Sequence, residues 1–484
     1  MIINLQELTA LSPLLILIFT VVIVMLSISY NRNHFLITIF SIFGLSFSLF
    51  SLYFLISIVP IDVTSLVHIN KFSILYISII LISSISACIF SYPWLLKYPF
   101  NKEEFYLLIL LSTLGSIFLT ISNHMSSIFI SIELISLPFF GLIAYSNYFR
   151  YALEASFKYL ILSATSSSFL LLGIAWIYAI SGSISFSFLN DIYMMISSNE
   201  KLVILFGISM LLVSIFFKLS LVPFHLWTSD IYQGTPSSVL SFFSVSSKVA
   251  LFSFLLHIFS HNSIINNTTL YLIISLVSAF SIFFGNLMAI FQKNIKRFFG
   301  YSSISQLGYL LIVLLNLKND YIFSLEIVAI YLFNYLFINI SYFGIIQLFS
   351  SSSNDIDLID SYRGLFWSQP ILSIMLTFVL LSLAGIPMTL GFIGKFYILS
   401  IILKNHLWLN SLFFILGSIL GFYGYFRFII NLYLRKTNKS FNNNIISNIS
   451  IYIPSRVLVF LSSLMLFIFG LYPDPLIYLI KLLI

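Results

Sequence analysis

Apolar runs long enough to cross a bilayer recur along almost the whole chain, separated by short polar connections. A bilayer core about 30 Å thick needs about 20 consecutive apolar residues in a helix. Fourteen stretches approach or exceed that length: 11–30, 35–58, 72–92, 105–123, 125–148, 152–180, 202–230, 236–259, 268–291, 298–317, 321–349, 370–403, 406–434 and 457–477. Inside lipid every backbone polar group must find a partner within the protein, and runs of this length achieve that as helices. The expected fold is an all-α membrane protein with about fourteen transmembrane helices. Composition closes off the soluble alternative, because only 8% of the 484 residues are charged and 60% are hydrophobic. A soluble domain carries about 25% charged residues. The longest connections, near 181–201, 350–369 and 435–456, are polar and too short for a folded domain. The first ten residues lack the basic region of a signal peptide, so 11–30 reads as a retained span.

The net charge of +7 is a matter of topology and gives no reason to expect nucleic acid. With the N-terminus outside, twelve Lys and Arg fall in cytoplasmic loops, among them Arg32, Arg150, Lys293, Arg297, Arg363, Lys436 and Lys439. Five fall on the other side: Lys71, Lys201, Lys318, Lys404 and Lys481. The positive-inside rule then places both termini on the outer side of the membrane. The lone cysteine, Cys88, excludes an intrachain disulfide framework and a four-cysteine iron–sulfur site from this chain alone. The sequence contains no G-x-G-x-x-G. Gly394-Lys395 is not a phosphate loop, because Thr389 and Phe396 occupy the positions that need Gly and Ser/Thr.

Charge inside the spans is the informative remainder. Glu133 stands within 125–148, Lys158 within 152–180, Lys218 and His225 within 202–230, Lys248 within 236–259 and Lys395 within 370–403. A charged group at membrane depth costs at least about 2.5–3.5 kcal/mol, and such groups mark ion paths or proton relays. Lys218 is a suitable cation for Glu133, and a Glu–Lys pair of variable spacing is a proton switch. His225, seven residues after Lys218, would share its helix face. The same residues also suit a static ion pair that fixes helix register. Two spans carry breaks, at Pro223 and at Gly385–Pro387 in GIPMTLGF (385–392). The breaks lie five spans apart, so the two helices run in opposite directions, as in an inverted repeat with discontinuous helices. The expected division is 1–104 (three helices), 105–260 (first repeat), 261–434 (second, inverted repeat) and 435–484 (loop and last helix). Glu326 and Arg427 near span ends, His257 and His124 read as interfacial or structural, and the many Phe and Tyr residues as packing.

The stretch FKLSLVPFHLWTSDIYQGTPSSVLSFFSVSSKVA (217–250) resembles the signature of the antiporter-like membrane subunits of respiratory complex I. The Lys–Pro–His broken helix, the YQG-TP turn and the SK of the next helix carry the likeness, and KRFFGYSSISQLGY (296–309) extends it. Lys395 after AGIPMTLGFIGKF, the stop after fourteen spans and the lack of a long lateral C-terminal helix make the resemblance closest to the subunit N (NADH dehydrogenase subunit 2) family. It covers essentially the whole chain. What it implies is a proton-translocating, non-redox subunit of NADH–quinone oxidoreductase in the bacterial inner membrane. Its relay would be Glu133, Lys218, Lys248 and the exit residue Lys395, with Lys158 and His225 secondary. Flavin, iron–sulfur clusters and quinone would belong to partner subunits, and the neighbours would be other membrane-arm subunits, antiporter-like paralogues included. The chain departs from the family at TSD (228–230) and GTP (234–236), where TPD and GAP are frequent. A free-standing cation/proton antiporter and a structural subunit with fixed ion pairs are the alternatives.

Overall fold

A computed structural model describes residues 5–146, 150–186, 198–260, 268–350, 357–435 and 452–483. Lys436 and Lys439 lie outside the described residues. The chain opens with α1 (Leu5–Ala10), α2 (Ser12–Tyr30) and α3 (His34–Leu55). An antiparallel hairpin of β1 (Ile61–Thr64) and β2 (Val67–Ile69) follows, the one departure from an all-α chain among the described residues. Next come α4 (Lys71–Leu96), α5 (Glu104–Thr120), α6 (Met125–Ala144), α7 (Arg150–Ser181), α8 (Ser198–Lys218), α9 (Leu226–Gly234) and α10 (Ser237–Ser260). The second half holds α11 (Thr268–Ile290), α12 (Ile295–Leu314), α13 (Tyr321–Ser350), the single turn α14 (Leu365–Ser368), α15 (Pro370–Ala384), α16 (Leu390–Lys404) and α17 (Trp408–Tyr433). The last helices are α18 (Ile453–Leu471) and α19 (Asp474–Leu482). The run expected over 457–477 therefore stops at Leu471, because Pro473 and Pro475 cannot continue it.

Eleven of these helices are long and apolar enough to cross a membrane, and α5 and α15 are apolar but shorter. Length and composition alone thus stop short of fourteen. Three runs make the difference: α5 is short, 370–403 is split into α15 and α16, and α12 is diluted by Lys296, Arg297, three serines and Gln306.

α10 forms the centre. From Ser237 to Phe259 it is buried on every side except at His257, against α4, α5 and α13. Its sequence explains this: serines and large apolar residues alternate around the helix and leave no polar face. α2, α3 and α17 lie outside and turn Phe19, Phe43, Phe47, Ile419 and Phe422 outward, as lipid requires.

Both interrupted helices end in the same way. At the end of α8 the Leu221 N–H donates to Phe216 O at 2.9 Å and the Ser220 N–H to Phe217 O at 2.8 Å, with Ser220 left-handed at φ 62°. At the end of α15 the Ile386 N–H donates to Leu381 O at 3.2 Å and the Gly385 N–H to Ser382 O at 3.1 Å, with Gly385 at φ 79°. These are two Schellman caps, which close a helix by tying its last carbonyls back. The freed Val222 N–H donates to Ser281 Oγ on α11 at 3.1 Å. A break at membrane depth is therefore internally satisfied, as it must be.

Candidate functional site

Lys248 lies in the middle of α10 and is 1% exposed. Its Nζ donates to Ser303 Oγ at 2.9 Å and to Tyr232 Oη at 3.1 Å. Among the described residues it has no carboxylate within 4.0 Å. Desolvating an ammonium costs several kcal/mol. A hydrogen bond to a charged group returns about 1.5–3 kcal/mol. Two hydroxyls thus hold the charged form only in part, and both hydroxyls can accept one proton while donating another.

α12 continues the row of polar side chains. Ser303, Gln306 and Tyr309 repeat every three residues and share a face. Tyr335 lies beside Tyr232 and Ser303. One turn on, Gln306 accepts a hydrogen bond from Tyr331 Oη, and Tyr425 faces it. Another turn on, Tyr309 receives a hydrogen bond from Asn286 at 3.4 Å and turns its ring to Lys395 Nζ, 5.3 Å from the centroid. Ser303 to Tyr309 spans about 9 Å of helix axis. Lys395 Nζ itself donates to Leu383 O at 2.6 Å and Ala384 O at 3.0 Å. Those are the last carbonyls of α15, the negative end of a helix dipole, laid open by the break. Four of the tyrosines expected to pack or face lipid also make polar contacts: Tyr232, Tyr309, Tyr331 and Tyr335 are buried with their hydroxyls or ring faces against polar groups. The signal was present in YSSISQLGY, whose polar residues recur at helical spacing within an apolar run.

Lys218 is the last residue of α8 and opens into a cavity walled by Ile132, Ser136, Tyr159, Trp227, Phe243 and Ser247. Glu133 is not in contact with it, since no ion pair within 4.0 Å joins them among the described residues. The two interact through charge at longer range. Glu133 Oε2 instead accepts a hydrogen bond from Ser136 Oγ at 3.0 Å, and Ser136 is on the wall of the Lys218 cavity. His225 is buried at the start of α9, its ring 6.4 Å from that of Tyr301. The shared helix face expected for Lys218 and His225 does not exist, because the break separates them.

Lys158 stands apart from that row. Its Nζ is 2.7 Å from both Glu154 and Asp230, and Asp230 also takes Arg297 at 2.9 Å. Partly exposed pairs of this kind contribute about 0.2–1 kcal/mol each. His124 caps α6, accepting the Ser126 N–H at 3.4 Å, and burial keeps its imidazole below the usual range and so neutral for that role. Arg427 donates to Ile290 O at 3.2 Å, while Glu326 is half-buried on α13. His257 lines a polar cavity with Asp62 and His68.

Residues 122–421 match the family described as NADH:quinone oxidoreductase/Mrp antiporter, TM. The chain is 66% identical over 483 residues to NADH-quinone oxidoreductase subunit N of Buchnera aphidicola subsp. Schizaphis graminum (strain Sg), covering 99% of each. It is 61% identical to the protein of that name from the subspecies Acyrthosiphon pisum (strain APS), again over 99% of each. Among solved structures it resembles a chain of respiratory complex I from Thermus thermophilus with bound aureothin. That match has TM-score 0.81 and 25% identity and covers 96% of this chain and 98% of that one. A chain of the Mrp complex from Dietzia sp. DQ12-45-1b shares the fold, with TM-score 0.84 at 16% identity over 99% and 97%.

Proposed function

The chain belongs to the NADH-quinone oxidoreductase subunit N family, and on that premise we propose that Glu133, Lys218, Lys248 and Lys395 form its proton relay. It is a multi-pass, proton-translocating membrane subunit of NADH-quinone oxidoreductase, and its partners are other membrane-arm subunits. Its role is non-redox: flavin, iron–sulfur clusters and quinone chemistry belong to partner subunits, in keeping with a single buried cysteine here. The bacterial inner membrane houses it, with both termini periplasmic. The division into 105–260 and 261–434 as inverted repeats is supported by the matched caps at Ser220 and Gly385.

One observation carries the relay: a fully buried lysine that, among the described residues, bonds to two hydroxyls, with a polar helix face running from it toward a second lysine. Lys248 passes its proton to the Ser303 or Tyr232 hydroxyl, and the chain through Gln306 and Tyr309 brings it to Lys395. The carbonyls of Leu383 and Ala384 stabilise the charge there. Approach of Glu133 to Lys218 favours charge on Lys218 and, by like-charge repulsion, expels the proton from Lys248; retreat reverses it. Lys158, clamped by two carboxylates, fits the fixed-ion-pair reading instead and serves structure. A free-standing antiporter is disfavoured by full-length relatives named as oxidoreductase subunits.

The test is proton uptake by inverted membrane vesicles during NADH oxidation, with assembly checked separately. Lys248→Ala removes the carrier and abolishes this chain's share of pumping. Lys248→Arg keeps the charge but cannot release the proton, so it fails as well. Wild-type pumping by Lys248→Arg would make Lys248 a fixed charge and end the relay reading.

A further inference from the structure

We propose that Asp230 is a positioning residue for Lys248: gripped by Lys158 and Arg297, it sets the half-helix α9 so that Tyr232 Oη meets Lys248 Nζ. The inference rests on the role of Lys248 proposed above.

α9 has nine residues and follows the break at 219–225. A helix this short is marginal on its own, so its placement comes from neighbours. Asp230 supplies two of them, with one oxygen on Lys158 Nζ of α7 at 2.7 Å and the other on Arg297 of α12 at 2.9 Å. The two cations come from opposite halves of the chain. Two residues later, and about 200° around the helix, Tyr232 points inward and is completely buried. Its hydroxyl donates toward or accepts from Ser303 at 3.4 Å and accepts from Lys248 at 3.1 Å.

Close packing makes the coupling stiff. The Tyr232 ring lies against Gly300 of α12, where a Cβ would come within 3.2 Å of Tyr232 Cγ. Gly234, at the end of α9, lies so close to α7 that a Cβ would be 2.5 Å from Tyr151 O. α9 is thus wedged between α7 and α12, with an ion pair to each, and Arg297, Gly300 and Ser303 succeed one another by single turns along α12. A shift at the Asp230 handle must move the Tyr232 hydroxyl relative to Lys248. Trp227 at the other end of α9 walls the Lys218 cavity, so the same half-helix borders both lysines.

The experiment compares the assembled oxidoreductase carrying Asp230→Asn, Tyr232→Phe, both together, and Lys248→Ala, in inverted vesicles. It reads protons taken up per NADH oxidised and the pH profile of that ratio. Asp230→Asn should lower the ratio by part of the drop seen with Lys248→Ala and displace the pH profile in the same direction as Tyr232→Phe. The double variant should be no worse than Tyr232→Phe alone, because both act on one contact. If Asp230→Asn pumps with the wild-type ratio and profile, or if the two effects add, Asp230 does not position Tyr232 and the inference fails. If Asp230→Asn does not assemble, Lys158→Gln and Arg297→Gln, each removing one grip, decide by the same two readouts. Wild-type pumping by Lys248→Ala would instead remove the relay itself, a different outcome from loss of the Asp230 effect alone.

Discussion

At the scale of the residue, the titratable groups were legible because charge is so rare in this sequence. Lys218, Lys248 and Lys395 stand out in apolar runs by cost alone. The groups that solvate them were not. A tyrosine in an apolar run reads as packing until the structure shows where its hydroxyl points, and Tyr232 is sixteen residues from Lys248 in sequence. Ser303 is fifty-five residues away, on a different helix. A suitable charge does not fix a distance, and the structure holds Glu133 and Lys218 apart while they interact through charge. The structure makes Ser303 testable. Ser303→Ala removes one of two partners of a buried ammonium, a bond of about 1.5–3 kcal/mol. This chain's share of the proton uptake per NADH should fall with the complex assembled, whereas Ser303→Thr, which keeps the hydroxyl, should retain most of it. Equal pumping by both variants would show that Lys248 does not depend on Ser303.

At the scale of the element, proline and glycine marked the breaks, at Pro223 and Gly385–Pro387, and the structure interrupts the helices over 219–225 and 385–389. The shared cap was hidden because one copy uses serine where glycine is usual. That difference yields opposite expectations. Gly385 has φ 79°, and a Cβ there would stand 2.7 Å from Lys395 Cδ. Gly385→Ala therefore adds about 1–2 kcal/mol of left-handed strain and pushes Lys395 from the carbonyls of Leu383 and Ala384. Proton uptake should drop severely. Ser220 already bears that strain at φ 62°. Ser220→Gly relieves about 1 kcal/mol while losing the Ser220 hydroxyl bond to Leu219 O, so stability and pumping should stay near wild type. Thermal dissociation of the purified complex and vesicle pumping measure both. Equal tolerance of the two substitutions would show that the cap at α15 does not hold Lys395 in place.

At the scale of the whole molecule, the apolar runs were legible because lipid permits so few backbone solutions, whereas the way the helices surround α10 depends on contacts between distant segments that no local pattern records. Orientation follows from charge. The connections carrying Arg32, Lys97 and Lys102, Arg150, Lys293 to Arg297, Arg363 and Arg435 would face the cytoplasm, and those with Lys71 and Lys318 the periplasm. The lone Cys88 is completely buried, so single introduced cysteines can be read against a quiet background. Leu66, in the turn between β1 and β2, and Lys318, after α12, are exposed on the side expected to be periplasmic. Asn101, before α5, and Arg435, after α17, are exposed on the other. A membrane-impermeant maleimide should label Leu66→Cys and Lys318→Cys in spheroplasts, and Asn101→Cys and Arg435→Cys only in inverted vesicles. Labelling of Leu66→Cys and Asn101→Cys from one side would mean that α4 does not cross. A clean reversal of all four would keep every span and invert the protein, and with it the direction in which Lys395 can serve as an exit.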